Sequence, residues 1–315
     1  MNKIEELQKE LAKSGYMIKK ASDIKKEQKL RTGLFSLDFV LDGGVSLSEG
    51  GHRIEFFGAE SSGKTTFALS IIKKFQELDK ICYFIDAEKS YDPNWSEKLG
   101  VDNNKLLLVY PDTLEEMGDI LLEIIPKADL IVIDSIVGLI PAGEAERDTA
   151  EAQMALSARI NSLICRKIYH AIGDKLVTMI FINQLREKVG MVWGNPFSTG
   201  GGHALKHMYN TRVEFKAGKS IEVDKERVGL EINLNCVKNK KGKPFHKSAI
   251  DFYFNGFLDN TKSLFFAGIK YSIITQKGSY YMYKDIKEQG EDAFKALLKP
   301  EDWLDIEREV WERIK

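Results

Sequence analysis

Residues 58–66 read Gly-Ala-Glu-Ser-Ser-Gly-Lys-Thr-Thr and fit the pattern G-x-x-x-x-G-K-[ST]. That spacing suits a phosphate. Gly58 and Gly63 let backbone N–H groups curl round an anion, with Glu60, Ser61 and Ser62 in the turn between them. Lys64 supplies a point charge. The Thr65 hydroxyl, followed by Thr66, can ligate Mg2+. A chance match in a turn is the competing reading. Against it, a strand candidate ends at Phe57 and a helix candidate opens near Thr65, which is the context the chemistry needs.

Two carboxylates extend this chemistry. Leu130-Ile-Val-Ile-Asp134 is an apolar run ending in an acid, as a buried parallel strand reads when its C-terminal end meets a ligand crevice. Asp134 is expected to hold Mg2+ through water. Hydrolysis also needs a group that orients and deprotonates water. Glu88, just past the strand candidate Tyr83–Asp86, has the better spacing. Asp86 is a rival, although it can equally do structural work inside the strand.

A third feature joins nucleotide chemistry to something else. Phe181-Ile-Asn-Gln184 reads as a strand ending in two amides, and an amide there can sense a terminal phosphate. It leads into Leu185–Gly202, read as a long loop with Arg186, Lys188, Val189, Met191, Val192 and Trp193 and five glycines, Gly201 and Gly202 among them. Cations, apolar tips and glycine hinges together suit nucleic-acid phosphates and base steps. The plainer reading is a surface loop. Glu144–Arg159, with Arg147, Met154 and Arg159, precedes or opens a helix. Most such stretches are only solvated helix starts.

These residues need a frame. Apolar β-type runs at Arg53–Phe57, Tyr83–Asp86, Leu106–Tyr110, Leu130–Asp134 and Val177–Asn183 alternate with helix candidates near 65–78, 114–126 and 151–172. Thr113 and Glu116 form a capping-box pair. The pattern predicts an α/β fold with a mostly parallel central sheet. Val213–Phe215, Leu230–Val237 and Ser248–Tyr253 lack long helices between them and predict an antiparallel extension. Residues 1–33 form a basic arm, with nine Lys/Arg against five Asp/Glu and a narrow stripe of Ile4, Leu7 and Leu11. So narrow a stripe must pack on something, either its own domain or a neighbouring subunit. Residues 34–259 are read as the core and 260–315 as a small α+β C-terminal domain.

Composition narrows the function classes. The 315 residues are 43% hydrophobic and 30% charged, which suits a packed soluble protein. Net charge is −1, so nucleic-acid binding would depend on local patches or on many subunits in a row. The charged N-terminus does not suit a signal peptide, and no apolar run suits a membrane span. Cys82, Cys165 and Cys236 are far apart and read as buried thiols in a reducing compartment, hence a cytoplasmic setting.

Taken together, the motifs resemble the bacterial RecA recombinase family along nearly the whole chain. The matching segments are residues 58–66, Phe84–Pro93, Lys98–Val101, Val132–Ser135, Phe181–Pro196, Gly201–Lys206 and Val237–Lys240. The block from Phe181 to Lys206 is the most specific. The resemblance implies a RecA-type P-loop ATPase core using ATP and Mg2+. It implies filaments on single-stranded DNA that pair it with a homologous duplex. Glu88 then looks like the water-activating residue, Trp95 like the ring that stacks on adenine, and Gln184 like the sensor coupling ATP to DNA. Leu185–Gly202 and Glu144–Met154 look like two DNA loops with Val189 and Met154 as wedges. Arg159, Arg186, Lys206 and Arg212 match positions of DNA or filament contact. Lys238 and Lys240 look like a pair reaching the neighbour's ATP. The arm, with Tyr16–Lys19 as a short strand, looks like the element that docks on the next protomer.

The chain also departs from the family. His203 and His207 stand where an amide and an aromatic are usual, and Gln153 replaces a common histidine. The sequence stops at Lys315 without an acidic tail, which predicts readier access to duplex DNA. Two other readings fit a phosphate loop. One is a DNA-coating protein with ATP as a structural ligand, which intact Lys64, Glu88 and Asp134 argue against. The other is a ring helicase or regulator on the same core, told apart by its assembly state on DNA.

Overall fold

The computed structural model describes residues 3–15, 18–24, 27–136, 138–142, 150–187 and 197–314, without the side chains of 150–155, 186–187 and 197–198. The elements run as follows. Helix α1 (Lys3–Lys13) is followed by β1 (Gln28–Leu30), α2 (Phe35–Val40) and β2 (Val45–Leu47). Then come β3 (His52–Gly58), α3 (Lys64–Gln76), β4 (Cys82–Asp86), α4 (Pro93–Lys98), β5 (Leu106–Val109), α5 (Leu114–Ile124) and β6 (Leu130–Asp134). Next are α6 (Ala150–Ile172), β7 (Thr178–Glu187), β8 (Phe197–Thr199), α7 (Gly202–Met208), β9 (Thr211–Val223), β10 (Glu226–Asn239), β11 (Lys247–Tyr253) and β12 (Leu258–Asp259). The last part holds α8 (Thr261–Lys270), β13 (Thr275–Lys277), β14 (Tyr280–Tyr283), β15 (Ile286–Gln289), α9 (Glu291–Leu297) and α10 (Pro300–Ile314).

The central sheet has the order β12-β11-β10-β9-β3-β7-β6-β4-β5, with β8 paired to β7. From β9 to β5 every pair is parallel. From β9 to β12 the pairs are antiparallel, as the missing crossover helices require. The inner parallel strands β3 and β6 bury both faces, whereas the edge strand β5 leaves Leu107 exposed. On β6, Leu130 and Val132 join one core with α3, while Ile131 and Ile133 join a second core with α5 and α6. A strand buried on both sides reads as a continuous apolar run, which is why Leu130–Asp134 is visible in sequence.

Helix ends follow local chemistry. Asp92 caps α4 by accepting from Asn94 N at 2.9 Å and Trp95 N at 3.2 Å. Thr113 Oγ1 accepts from Glu116 N at 3.2 Å, but Glu116 Oε2 accepts from Asp112 N at 2.7 Å instead of from Thr113. The predicted capping box is therefore half formed.

Two expectations need correction. Leu185–Gly202 is not structureless at its ends. Strand β7 runs on to Glu187, and β8 folds back on it, pairing Leu185 with Thr199 and Glu187 with Phe197. Backbone pairing of the loop's two ends satisfies their N–H and C=O groups. Its tip, with Lys188 and Val189, lies outside the described residues. The strand expected at Tyr16–Lys19 is also absent where described. Ile18 and Lys19 belong to no strand, and Tyr16 and Met17 fall outside the described residues. A strand needs an edge beside it, and the described residues pair none with Ile18 or Lys19.

Candidate active site

Four neighbouring parallel strands end side by side, and sequence order hides it. In register, Gly58 of β3 pairs with Gln184 of β7, and Asp134 of β6 pairs with Asp86 of β4. The strand order β3-β7-β6-β4 thus gathers the phosphate loop, the amide and the carboxylates at one edge. Crevices at the C-terminal ends of parallel strands are where α/β folds bind ligands.

The phosphate loop is built as its glycines demand. A Cβ on Gly58 would lie 2.2 Å from Phe215 O, so no other residue fits there without moving backbone. Gly63 sits at φ +87°, and a Cβ on it would lie 2.5 Å from Ile232 Cδ1. It starts α3, whose dipole points its positive end at the loop. Ser62 Oγ donates to Ala59 O at 2.7 Å and braces the turn, while Glu60 and Ser61 are exposed. Thr66 is buried behind them.

Lys64 is buried, and its ammonium donates to Ala59 O at 2.6 Å and Gly58 O at 3.3 Å. Burial pushes its pKa down, while Asp134, Glu88 and Glu60 push it back up. A phosphate would replace weak carbonyl partners with full negative charge.

Thr65 Oγ1 donates to Asp134 Oδ2 at 2.7 Å. Burial raises the Asp134 pKa to about 6, with Thr65 lowering it and Glu88 raising it. A cation at this hydroxyl–carboxylate pair would relieve that burial. Among the described residues no cluster of three His, Cys, Asp or Glu could cage a metal alone. One hydroxyl and one carboxylate suit Mg2+ carried in with phosphate oxygens and water. The residues present therefore fit a magnesium–nucleotide pair.

The two acids after β4 separate cleanly. Asp86 is buried and accepts from Ser90 N at 3.1 Å and Tyr91 N at 2.9 Å, which fixes the turn. Glu88 points back into the site. Its Oε1 accepts from Ser135 Oγ at 2.5 Å and from Gln184 Nε2 at 3.4 Å. Ser135 follows Asp134 directly, so β6 positions both acids.

Trp95 lies in the first turn of α4, half-buried. It packs edge-on against Phe252 at 6.1 Å with Lys98 Nζ 5.5 Å from its ring centroid. Phe252 pairs with Leu230, one same-face step from Ile232, the side chain that touches Gly63. Trp95 and the phosphate loop thus border the same β10–β11 face.

Beneath the site lies a network that the motifs do not announce. Glu55 of β3 is fully buried. It accepts from Asn183 Nδ2 at 2.9 Å and pairs with Arg212 Nε. Asn183 Nδ2 also reaches Gly200 O at 3.3 Å, and Arg212 reaches Thr199 Oγ1 at 3.4 Å. One buried carboxylate therefore ties the strand of the phosphate loop to the end of the Leu185–Gly202 loop. The available signal was a charge inside the apolar run Ile54-Glu-Phe-Phe57.

Other candidates lie apart from this edge. Lys238 pairs with Arg212, which pairs with Glu55, three residues before Gly58, so it stands well back from the chain's own phosphate loop. Lys240 follows β10, its backbone N donating to Asn210 O at 2.9 Å. Met154 and Arg159 lie on α6, with Arg159 exposed. Arg186 is on β7, and Gly201, Gly202 and half-buried Lys206 open and form α7. His203 and His207 are exposed on that helix.

A phosphate loop, an acid at the end of the β6 strand and a parallel sheet define a P-loop nucleotide-binding protein. The comparisons narrow that class. The RecA N-terminal domain family matches residues 1–258. Proteins named RecA are similar over most of the chain. That of Mycoplasma mycoides subsp. mycoides SC is 38% identical over 286 residues, covering 90% of this chain and 82% of the relative. That of Bacteroides thetaiotaomicron is 35% identical over 316 residues, covering 99% and 95%. That of Thermus thermophilus is 35% identical over 321 residues, covering 99% and 93%. The chain belongs to the RecA family.

Proposed function

We propose that this chain is a DNA-dependent ATPase that forms filaments on single-stranded DNA and pairs it with a homologous duplex. The observation that carries the reading is the position of Gln184. It touches Glu88, lies beside Gly58, and continues directly into the loop that ends at Gly200–Gly202. One residue therefore belongs to both the nucleotide site and the segment assigned to DNA.

In this reading Lys64 and the loop amides bind the phosphates, and Trp95 stacks on the base. Thr65 and Asp134 would hold Mg2+, which spreads and neutralises phosphate charge when bound. Glu88 takes a proton from water. Its Oε1 is held by Ser135 and Gln184, and Oε2 has no hydrogen bond among the described residues, so Oε2 is the accepting atom. Gln184 gives up Glu88 for a terminal phosphate, and the shift passes into the loop with Arg186, Lys188 and Val189. Met154, Arg159, Gly201, Gly202, Lys206 and Arg212 complete the DNA-facing set, directly or by shaping it.

Self-assembly is part of the proposal. Ile4, Leu7 and Leu11 on α1 are 57%, 47% and 41% exposed, which supports docking of residues 1–33 on a neighbouring subunit. Lys238 and Lys240 then reach that neighbour's ATP. Residues 34–259 form the ATPase core and 260–315 a C-terminal unit. No helix among the described residues is long and apolar enough to cross a membrane. A cytoplasmic setting follows from the recombination role.

The test is ATP hydrolysis by the purified protein with and without single-stranded DNA at two salt concentrations. Strong stimulation that fades with salt is expected, because phosphate contacts release counterions. ATP bound without stimulation would favour a DNA-coating protein.

A further inference from the structure

Lysines in the last turn of a helix ordinarily offset the negative end of its dipole. Helix α3 ends with two, Lys73 and Lys74. Lys74 Nζ donates to Glu77 Oε2 at 2.8 Å and stays on its own helix. Lys73 leans away. Its side chain crosses Gly100, just past the end of α4, where a Cβ would lie 3.0 Å from Lys73 Cε and 3.2 Å from its Nζ. Gly100 sits at φ +92°, so one residue both ends α4 and makes room for Lys73. Lys98, the last residue of α4, is met from the other side by Gly256, on which a Cβ would lie 3.5 Å from Lys98 Cγ. Neither Lys73 nor Lys98 has an ion pair among the described residues.

These three lysines line one cavity of about 510 Å³ between α3, α4 and the turn from β11 to β12. Glu77 is the single acid on its wall, so three ammonium groups against one carboxylate leave a net +2. Asn255 Oδ1 accepts from Phe257 N at 3.0 Å, which leaves the amide nitrogen of Asn255 to donate. The wall also has an apolar part, and its Phe257 is 57% exposed. Size and lining are those of a small-ligand site. It is not the nucleotide crevice. Among the described residues the wall includes neither the phosphate loop nor Trp95. Its first residue along α3, Ser70, follows Lys64 by six positions, about 9 Å of helix. Nor does the cavity meet the segments assigned to DNA. Its Leu34 and Leu99 join the core on the α3 side of the sheet, whereas α6 and α7 pack on the opposite face.

We propose that this cavity is a second ligand site, separate from the phosphate loop, for a small molecule that carries two phosphate groups. Lys73, Lys74 and Lys98 hold the phosphates, and Asn255 adds a neutral donor. A neutral ligand would gain nothing from the ammonium groups, and a single weak anion would leave the wall positive. An aromatic base attached to the phosphates would lie on Phe257. Pyrophosphate offers the charge alone, and a nucleoside bisphosphate offers both charge and ring.

The experiment starts with the full chain saturated with a non-hydrolysable ATP analogue and Mg2+, so that the phosphate loop is occupied. Inorganic pyrophosphate and guanosine 3′,5′-bisphosphate are then titrated in by calorimetry at low salt. Each should bind once per chain without displacing the analogue. Lys73→Gln is expected to weaken both about fivefold or more, and Lys73→Arg to restore most of the affinity. Lys73→Glu should abolish binding. Lys80→Gln, which removes a charge just past α3 but off the wall, should leave it unchanged. Analogue affinity within about twofold of the wild type shows that each variant is folded. Binding of neither probe to the wild type overturns the proposal, and so does equal binding to wild type and Lys73→Glu. Displacement of the analogue would assign the probes to the nucleotide crevice and overturn it as well. The bisphosphate should bind about threefold or more tighter than pyrophosphate, and Phe257→Ala should erase that difference. Equal affinity for the two probes would keep the phosphate site and end the role of Phe257. A chain that takes up no analogue would instead strike the nucleotide reading. The same titration of the free chain would then still test the cavity.

Discussion

Gln184 Nε2 donates to Glu88 Oε1 at 3.4 Å, although 96 residues separate them in sequence. The contact is long, and Ser135 holds the same oxygen more closely. A weak bond of this kind is easily exchanged for a charge-assisted one to phosphate. Gln184→Ala should leave ATP affinity within about threefold, since Lys64 and the loop amides are untouched. DNA-stimulated turnover should fall about ten- to a hundredfold, a loss of one interaction worth roughly 1.4–3 kcal/mol. Steady-state hydrolysis with and without single-stranded DNA, beside a nucleotide-binding titration, checks both halves. Undiminished stimulation would remove Gln184 from the coupling path.

Glu88→Gln keeps the hydrogen-bonding shape and removes the base. Hydrolysis should drop about a hundred- to a thousandfold. DNA binding in the presence of ATP should persist or lengthen, because the bound state is no longer discharged. Single-turnover hydrolysis and DNA retention on the same preparation separate the two. Asp86→Asn gives the contrast. Asp86 accepts two backbone N–H groups, so its loss should appear first as lower stability.

Much of this site was legible in the sequence, for a physical reason. A phosphate loop needs glycines and a lysine in fixed order, and a strand buried on both faces must be apolar. Gly58–Thr66 and Leu130–Asp134 therefore show themselves, and the strand–helix alternation around them gives the sheet. What sequence hides is adjacency. Nothing in the order of residues says that β7 lies between β3 and β6, so the Gly58–Gln184 pairing became visible only with the strand order. Polar residues that work inside the core are also hidden, because Glu55 and Asp38 look like stray charges. Glycines and cations in the sequence mask the antiparallel pairing of Leu185–Glu187 with Phe197–Thr199.

The Glu55–Arg212 pair should be structural before it is anything else. Glu55 is fully buried, and the Arg212 side chain is 18% exposed. Arg212→Met leaves a buried carboxylate with Asn183 alone, which costs about 3–5 kcal/mol. Adding Glu55→Gln removes the orphaned charge, so the double variant should recover a large part of that loss. Urea denaturation of the three proteins measures it. A loss under about 1 kcal/mol for Arg212→Met would mean that the pair does not hold the loop base.

Asp38 pins the root of the N-terminal arm, and it does so at a cost that depends on pH. Its Oδ1 accepts from Thr32 N and from Thr32 Oγ1, each at 2.8 Å, while Oδ2 is buried without a partner. Burial raises the Asp38 pKa to about 7; the Thr32 bonds and Arg31 oppose the rise, and Glu307 adds to it. In the unfolded chain an aspartate loses its proton near pH 4. Between about pH 4 and 7 the unfolded state therefore gains from ionising while the folded state stays protonated. Stability from this residue is full at low pH and is lost as pH rises towards 7, by at most about 4 kcal/mol. Asp38→Asn cannot ionise and keeps an oxygen for Thr32, though its amide nitrogen inherits the unpartnered position. Such a buried donor costs about 1–3 kcal/mol. Near pH 4 the protonated wild type carries an unpartnered donor at the same place, so the two should lie within about 2 kcal/mol of each other, and the variant should gain on the wild type steadily up to pH 7. Taking the difference between the two at each pH cancels the other titrating groups, His52 among them. A difference that stays flat over that range would mean that Asp38 ionises freely, with its second oxygen reaching water or a cation in solution.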